Sequence, residues 1–153
     1  MKTLVVYYSR SGNTRLAAQE IITLLKADVE ELRDEDERKG IIGWLKSGMQ
    51  AFRKKKAQLK PLRNDPEGYE QIFIGSPVWA GNITPPVRSF LAEHDLAGKK
   101  VGLFVTADGS PGKSLEAMRE YLDGADITGD IAILKYDMKS GYREKVKSWL
   151  DGM

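Results

Sequence analysis

The sequence predicts an α/β protein with a three-layer, doubly wound fold built on a five-stranded parallel sheet. Three observations carry this. Apolar runs alternate with stretches of helical periodicity five times along 153 residues, the pattern of strand–helix–strand units with right-handed crossovers. The runs are apolar on consecutive residues, as strands covered on both faces require. Three of them end in small, polar loops, and in such sheets ligands sit beyond the carboxyl ends of the strands. The length predicts one domain over residues 1–153.

The first strand is Leu4-Val5-Val6 with Tyr7 and Tyr8, and it ends in Ser9-Arg10-Ser11-Gly12-Asn13-Thr14. A helix follows from about Asn13 to Lys26, with Ala17, Ile21, Leu24 and Leu25 on one face. Strand, hydroxyl-rich turn and helix start together point backbone N–H groups at one spot, where the helix dipole adds positive charge. A phosphate dianion suits that spot. A capped turn that binds nothing fits the same residues, since Ser, Asn and Thr are good N-caps. Asp28–Arg33 predicts a short edge strand with Val29 and Leu32 as its apolar points, and Asp34–Lys39 a charged loop. Ile41–Lys56 predicts a helix weakened by Gly43 and Gly48. Its Trp44, Met49 and Phe52 suit packing on the sheet, a flap or a dimer contact. Pro61–Gly68 is a breaker-rich loop.

Ile72-Phe73-Ile74 is the next buried strand, ending in a loop from Gly75 to Asn82. A helix starts near Pro85, a residue suited to the first turn, and buries Val87, Phe90 and Leu91. Val101–Val105 is the fourth strand and ends in a loop over Thr106–Gly112. Leu115, Met118, Tyr121 and Leu122 face inward from the helix after it. Ile131–Leu134 is the fifth strand, and Tyr142, Val146, Trp149 and Leu150 share a face of the last helix.

Composition removes several function classes. The absence of cysteine excludes thiolate metal sites, iron–sulfur clusters and thiol nucleophiles. A net charge of +2 is too small to argue for nucleic acid. No stretch approaches the roughly 20 apolar residues of a membrane span, and the apolar run at the start is too short for a secretory leader. The expectation is a cytoplasmic monomer or weak homodimer with no nucleic-acid or membrane partner.

The three rim loops, 9–14, 76–82 and 106–112, are predicted to converge. The second offers Trp79, which suits either a plug over the core or a stacking face for a flat ligand. The third offers backbone amides, Asp108, and the hydroxyls of Thr106 and Ser110, which suit the polar edge of a heteroaromatic ring or an ordinary Gly/Pro turn. A phosphate tail, a stacked ring and a polar ring edge together describe flavin mononucleotide (FMN).

These residues resemble those of flavodoxins and flavodoxin-like FMN proteins. That family's phosphate loop reads Ser/Thr-x-Ser/Thr-Gly-x-Thr after the first strand, and Ser9, Ser11, Gly12 and Thr14 match each required position. GSPVWAGN, followed by Pro85 and Pro86, is similar to the family's second flavin loop, and TADGSPG matches the third in position and composition. The likeness spans essentially the whole chain. It implies strand order 2-1-3-4-5 and a non-covalent FMN. Ser9, Arg10, Ser11, Gly12, Asn13 and Thr14 would hold the phosphate, Arg10 through its amide. Trp79 would cover one face of the ring. Ser76, Pro77, Val78, Ala80, Gly81, Asn82, Thr106, Ala107, Asp108, Gly109 and Ser110 would border its edges.

The resemblance implies a low-potential electron carrier between redox partners, with no catalytic side chain and no metal. An FMN-dependent NAD(P)H oxidoreductase of the quinone or flavin reductase type is the alternative. Asp108, with no lysine aimed at the ring, would disfavour the negative charge that reduced flavin tends to carry at N1. The peptide around Ala80–Gly81 is expected to reorient and offer a carbonyl to N5–H of the reduced ring, because Gly81 reaches positive φ easily. The chain departs from the family in carrying cationic Arg10 in the phosphate loop, and in lacking the strong acidity typical of carriers. A different class of protein competes at residues 107–114, where Gly-Lys-Ser between strand and helix approaches a nucleotide-binding P-loop, with Asp137 as a distant magnesium partner. The lone histidine, His94, is expected at a solvated helix end.

Overall fold

The computed structural model describes residues 1–35 and 57–153. The expected helix over Ile41–Lys56, with its flap and dimer readings, and the loop from residue 36 onward lie outside the described residues. In chain order the elements are β1 (Thr3–Tyr7), α1 (Asn13–Leu25), β2 (Asp28–Glu31), a 3-10 turn (Pro66–Gly68), β3 (Gln71–Trp79), β4 (Asn82–Ile83), α2 (Pro85–Glu93), β5 (Lys100–Ala107), α3 (Ser114–Arg119), β6 (Asp126–Leu134), α4 (Lys135–Lys139) and α5 (Tyr142–Asp151).

Five strands pair in parallel in the order β2-β1-β3-β5-β6, and the two-residue β4 pairs antiparallel with the end of β3. Without β4, this is the expected order 2-1-3-4-5. The side chains of one sheet face, among them Val6, Ile74, Leu103 and Val105, pack with Val87, Phe90 and Leu91 of α2 and Met118 of α3. Those of the other face, Val5, Tyr7, Phe73, Phe104 and Ile133, pack with Ala17, Ala18 and Ile21 of α1 and Val146 of α5. Phe73 pairs with Gly102, and Phe104 with Gly75. Each ring fills its partner's missing side chain: a Cβ on Gly75 would lie 2.1 Å from Phe104 Cζ, and one on Gly102 2.5 Å from Phe73 Cε1.

Several expectations are corrected. β3 runs to Trp79, so residues 76–79 are strand rather than loop. The antiparallel pairs Val78–Ile83 and Trp79–Asn82 extend it. β6 begins at Asp126, and the short α4 lies between it and the last helix. In α1, Ala18 is buried whereas Leu24 and Leu25 are 40 % and 37 % exposed, and Ile22 packs against the core of that sheet face. In β2, Val29 is exposed and Glu30 is 4 % exposed. Glu30 Oε1 accepts the backbone N–H of Arg63 at 2.9 Å and of Asn64 at 2.7 Å, and this satisfies the buried carboxylate. His94 is partly buried, with its ring 4.7 Å from that of Phe90. No helix among the described residues is long and apolar enough to cross a membrane.

Candidate functional site

A cleft of about 720 Å³ opens at the carboxyl ends of β1, β3, β5 and β6. The first loop lines it with Arg10, Ser11 and Asn13, and the second with Pro77, Val78, Trp79, Ala80 and Gly81. The expected third loop starts later than Thr106: the end of β5 supplies Thr106 and Ala107, which pair with β6, and the loop after it supplies Asp108, Gly109 and Ser110. Five of the expected site residues do not line the cleft: Ser9, Gly12, Thr14, Ser76 and Asn82. Each has a structural partner or conformation instead.

The first loop is built as the mouth of a helix. Gly12 is the N-cap of α1 at φ 105, the left-handed region that favours glycine. Ser9 Oγ accepts the N–H of Arg15 at 3.2 Å. Among the described residues, no protein group takes the N–H of Ser11, Gly12, Asn13 or Thr14. This leaves donors for an anion at the positive end of a thirteen-residue helix. Thr14 is buried, and its hydroxyl pairs with that of Thr106 at 2.7 Å. That bond ties the first loop to the third across the sheet.

The second loop is a hairpin tip. Ala80 and Gly81 sit at φ 52 and 72, the two positive values that a type I′ turn requires. Ser76 and Asn82 turn inward from its base. Ser76 Oγ accepts the N–H of Thr84 at 3.1 Å. Asn82 Oδ1 accepts from Ile83 N–H at 2.9 Å and Arg88 Nη2 at 2.8 Å. Trp79 is partly buried and stands edge-on to Tyr8, ring centroids 5.7 Å apart. It walls the cleft rather than plugging the core. The Arg10 guanidinium carbon lies 5.9 Å from the Trp79 ring centroid, within cation–π range.

The third loop packs on the second, glycine against glycine. Lys113 N–H donates to the Gly81 carbonyl at 2.8 Å. A Cβ on Gly112 would lie 2.6 Å from Gly81 Cα. This close approach removes the P-loop reading. Gly112 N–H goes to Ser110 Oγ, Lys113 N–H to Gly81 and Ser114 N–H to Pro111, so these three amides are taken by protein acceptors. Ser114 is fully buried, with its hydroxyl on the Pro111 carbonyl. Asp137 is committed elsewhere too. It accepts the Leu134 N–H at 2.8 Å and the Lys145 ammonium at 2.7 Å. Lys145, then Leu134 N–H, hold its carboxyl below the usual range.

Lys135, not among the expected site residues, reaches the cleft from the end of β6, which corrects the expectation of a site without a lysine. The same rule about carboxyl strand ends could have found it. The five-residue α4 that begins there leaves no glycine- or hydroxyl-rich loop to draw attention. The cleft therefore presents Arg10 and Lys135 against Asp108.

The family model described as flavodoxin matches residues 2–153. Solved structures share the fold. A flavoprotein from Lactobacillus acidophilus NCFM, in complex with FMN, is 24 % identical with a TM-score of 0.72, over 97 % of this chain and 98 % of that one. A proposed flavoprotein from Bacteroides eggerthii DSM 20697 is 23 % identical with a TM-score of 0.82, over 98 % and 96 %. Oxidised flavodoxin 2 from Bacillus cereus is 22 % identical with a TM-score of 0.61, over the full length of both. No curated protein matches the chain.

Proposed function

The chain belongs to the flavodoxin family, and from that premise we propose that it binds FMN non-covalently and carries electrons at low potential between redox partners. The observation that carries the reading is the single cleft lined by all three rim loops. Its parts fit the cofactor: open amides at a helix mouth for the phosphate, an aromatic wall for the ring, and a polar third loop for the ring edge. Stacking on Trp79 contributes about 0.5–1.5 kcal/mol beyond the area it buries.

FMN, when bound, supplies the one- and two-electron chemistry. The protein's own work is to hold and tune it. Ser11, Asn13 and the N–H groups of residues 11–14 take the phosphate. Trp79 excludes water from one ring face. Asp108, with the 106–110 backbone, borders the ring edge and opposes added negative charge. The Gly81 carbonyl is pinned by Lys113 N–H, so the peptide left to reorient is Ala80–Gly81, whose carbonyl would accept the N5–H proton's hydrogen bond. Ala80 already pays for positive φ.

Titration of the purified chain with FMN tests the reading. Quenching of flavin fluorescence and yellow protein after gel filtration are expected; material that stays colourless refutes it. A second reading, an FMN-dependent NAD(P)H oxidoreductase, is favoured by Arg10 and Lys135 at the cleft, two cations suited to an anionic nucleotide. Mixing the FMN-loaded protein with NADPH separates the two. No rapid bleaching is expected of the carrier; rapid bleaching would establish the enzyme. As a carrier, the protein works in the cytoplasm, alone or as a weak dimer, with partners other than membranes or nucleic acid.

A further inference from the structure

We propose that Arg88 is a buried electrostatic tuning residue of the flavin site, whose positive charge, paired with no carboxylate among the described residues, favours the reduced, anionic cofactor. This rests on the FMN reading of the cleft. Arg88 is 2 % exposed. Its Nη2 donates to Asn82 Oδ1 at 2.8 Å and its Nη1 to the Tyr121 hydroxyl at 3.2 Å. Its Nε is buried and has no hydrogen-bond partner among the described residues. Both acceptors are neutral. A buried guanidinium is ordinarily paired with a carboxylate, because an isolated buried charge is strongly unfavourable. Among the described residues no ion pair includes Arg88.

The setting adds to the charge rather than cancelling it. Arg88 is the fourth residue of the nine-residue α2, near its positive end, and the first turn of that helix holds no acidic residue. Two sources of positive potential thus meet behind the β3–β4 hairpin. The Arg88 contact is to Asn82, Asn82 pairs with Trp79, and Trp79 walls the cleft. Clamping the hairpin would need only a neutral donor. A charge at that place instead acts on whatever charge the cleft acquires. The oxidised flavin ring is neutral. Two electrons and one proton convert it to an anion, which a buried cation behind the hairpin stabilises more than the neutral form. Arg88 touches no reacting atom and is a positioning residue. Asp108, on the facing loop, acts in the opposite direction, Arg10 and Lys135 at the cleft act in the same one, and the potential reflects the balance of all four.

Redox titration of the FMN-loaded protein with dithionite tests this, using wild type, R88K, R88M and N82D. N82D places a carboxylate where Asn82 Oδ1 meets Arg88. It is expected to raise the unfolding temperature while lowering the potential, a combination that a purely structural clamp does not produce. R88M and N82D should each lose about tenfold in affinity for reduced relative to oxidised FMN, about 30 mV for the two-electron couple. R88K should stay near wild type. If R88M does not fold, N82D against R88K carries the comparison. Unchanged midpoints in every folded charge-cancelling variant overturn the Arg88 assignment alone. A wild-type chain that takes up no FMN overturns the cofactor reading, and this inference with it.

Discussion

Gly112→Ala separates the second and third loops, and its cost follows from the geometry. The new Cβ would stand 2.6 Å from both Cα and O of Gly81, whereas ordinary contact begins at 3.4 Å. One loop must therefore retreat by about 0.8 Å, the difference of those two distances. Overpacking of this kind costs about 1–3 kcal/mol. Alanine at φ +54 adds about 1–2 kcal/mol, and weakening the Lys113–Gly81 hydrogen bond about 1 kcal/mol. These overlap, so a total of about 2–4 kcal/mol is expected, or about 5–15 °C in Tm for a chain of this size. FMN affinity should fall about tenfold, about 1.4 kcal/mol, since the hairpin tip carries Trp79. Urea unfolding of the FMN-free chain and a fluorescence titration with FMN measure the two effects. Gly109→Ala is the stability control, because a Cβ there meets nothing within 4 Å and its φ is not positive. It should change stability by less than about 0.5 kcal/mol. If the two variants unfold alike, the glycine-on-glycine contact does not hold the cleft together.

Three further outcomes are expected. Thr14→Val leaves the buried Thr106 hydroxyl without its partner and should cost about 1–3 kcal/mol by urea unfolding; Thr14→Ser, which keeps the hydroxyl, should recover most of it. Burial, then the hydrogen bond to Asp28, push the Tyr69 phenol up to about 12. The unfolded chain ionises first, so this contribution is complete below the ordinary tyrosine value of 10.0 and is lost as pH rises toward 12. Tyr69→Phe should flatten that alkaline decline in a Tm series. Lys145→Met should cost less than about 1 kcal/mol near neutral pH, since Lys145 is solvent-screened. The depressed Asp137 carboxyl contributes above the ordinary carboxylate range and loses that contribution as pH falls through its lowered value, so the gap to wild type should close in acid.

What the residues themselves determined is local. Runs such as Leu4-Val5-Val6 and Ile72-Phe73-Ile74 must be covered on both faces, so they become strands of a parallel sheet, and the helical stretches between them become crossovers. Ser9 to Thr14 forms the mouth of a helix because Gly12 can take φ 105 and the residues around it are small and polar. The strand order and the placing of three loops on one rim follow from that alternation and from the family resemblance.

The tertiary structure decided what depends on partners distant in the chain. Glu30 is buried and Val29 exposed because the amides of Arg63 and Asn64 arrive to satisfy the carboxylate. Ser76 and Asn82 face inward because Thr84 and Arg88 engage them. Lys135 enters the cleft because β6 lies beside β5. Thr14 and Thr106 meet across 92 residues of chain. A propensity acts within a few residues, whereas the charge, burial and hydrogen bonding of a side chain are set by whatever the fold brings next to it.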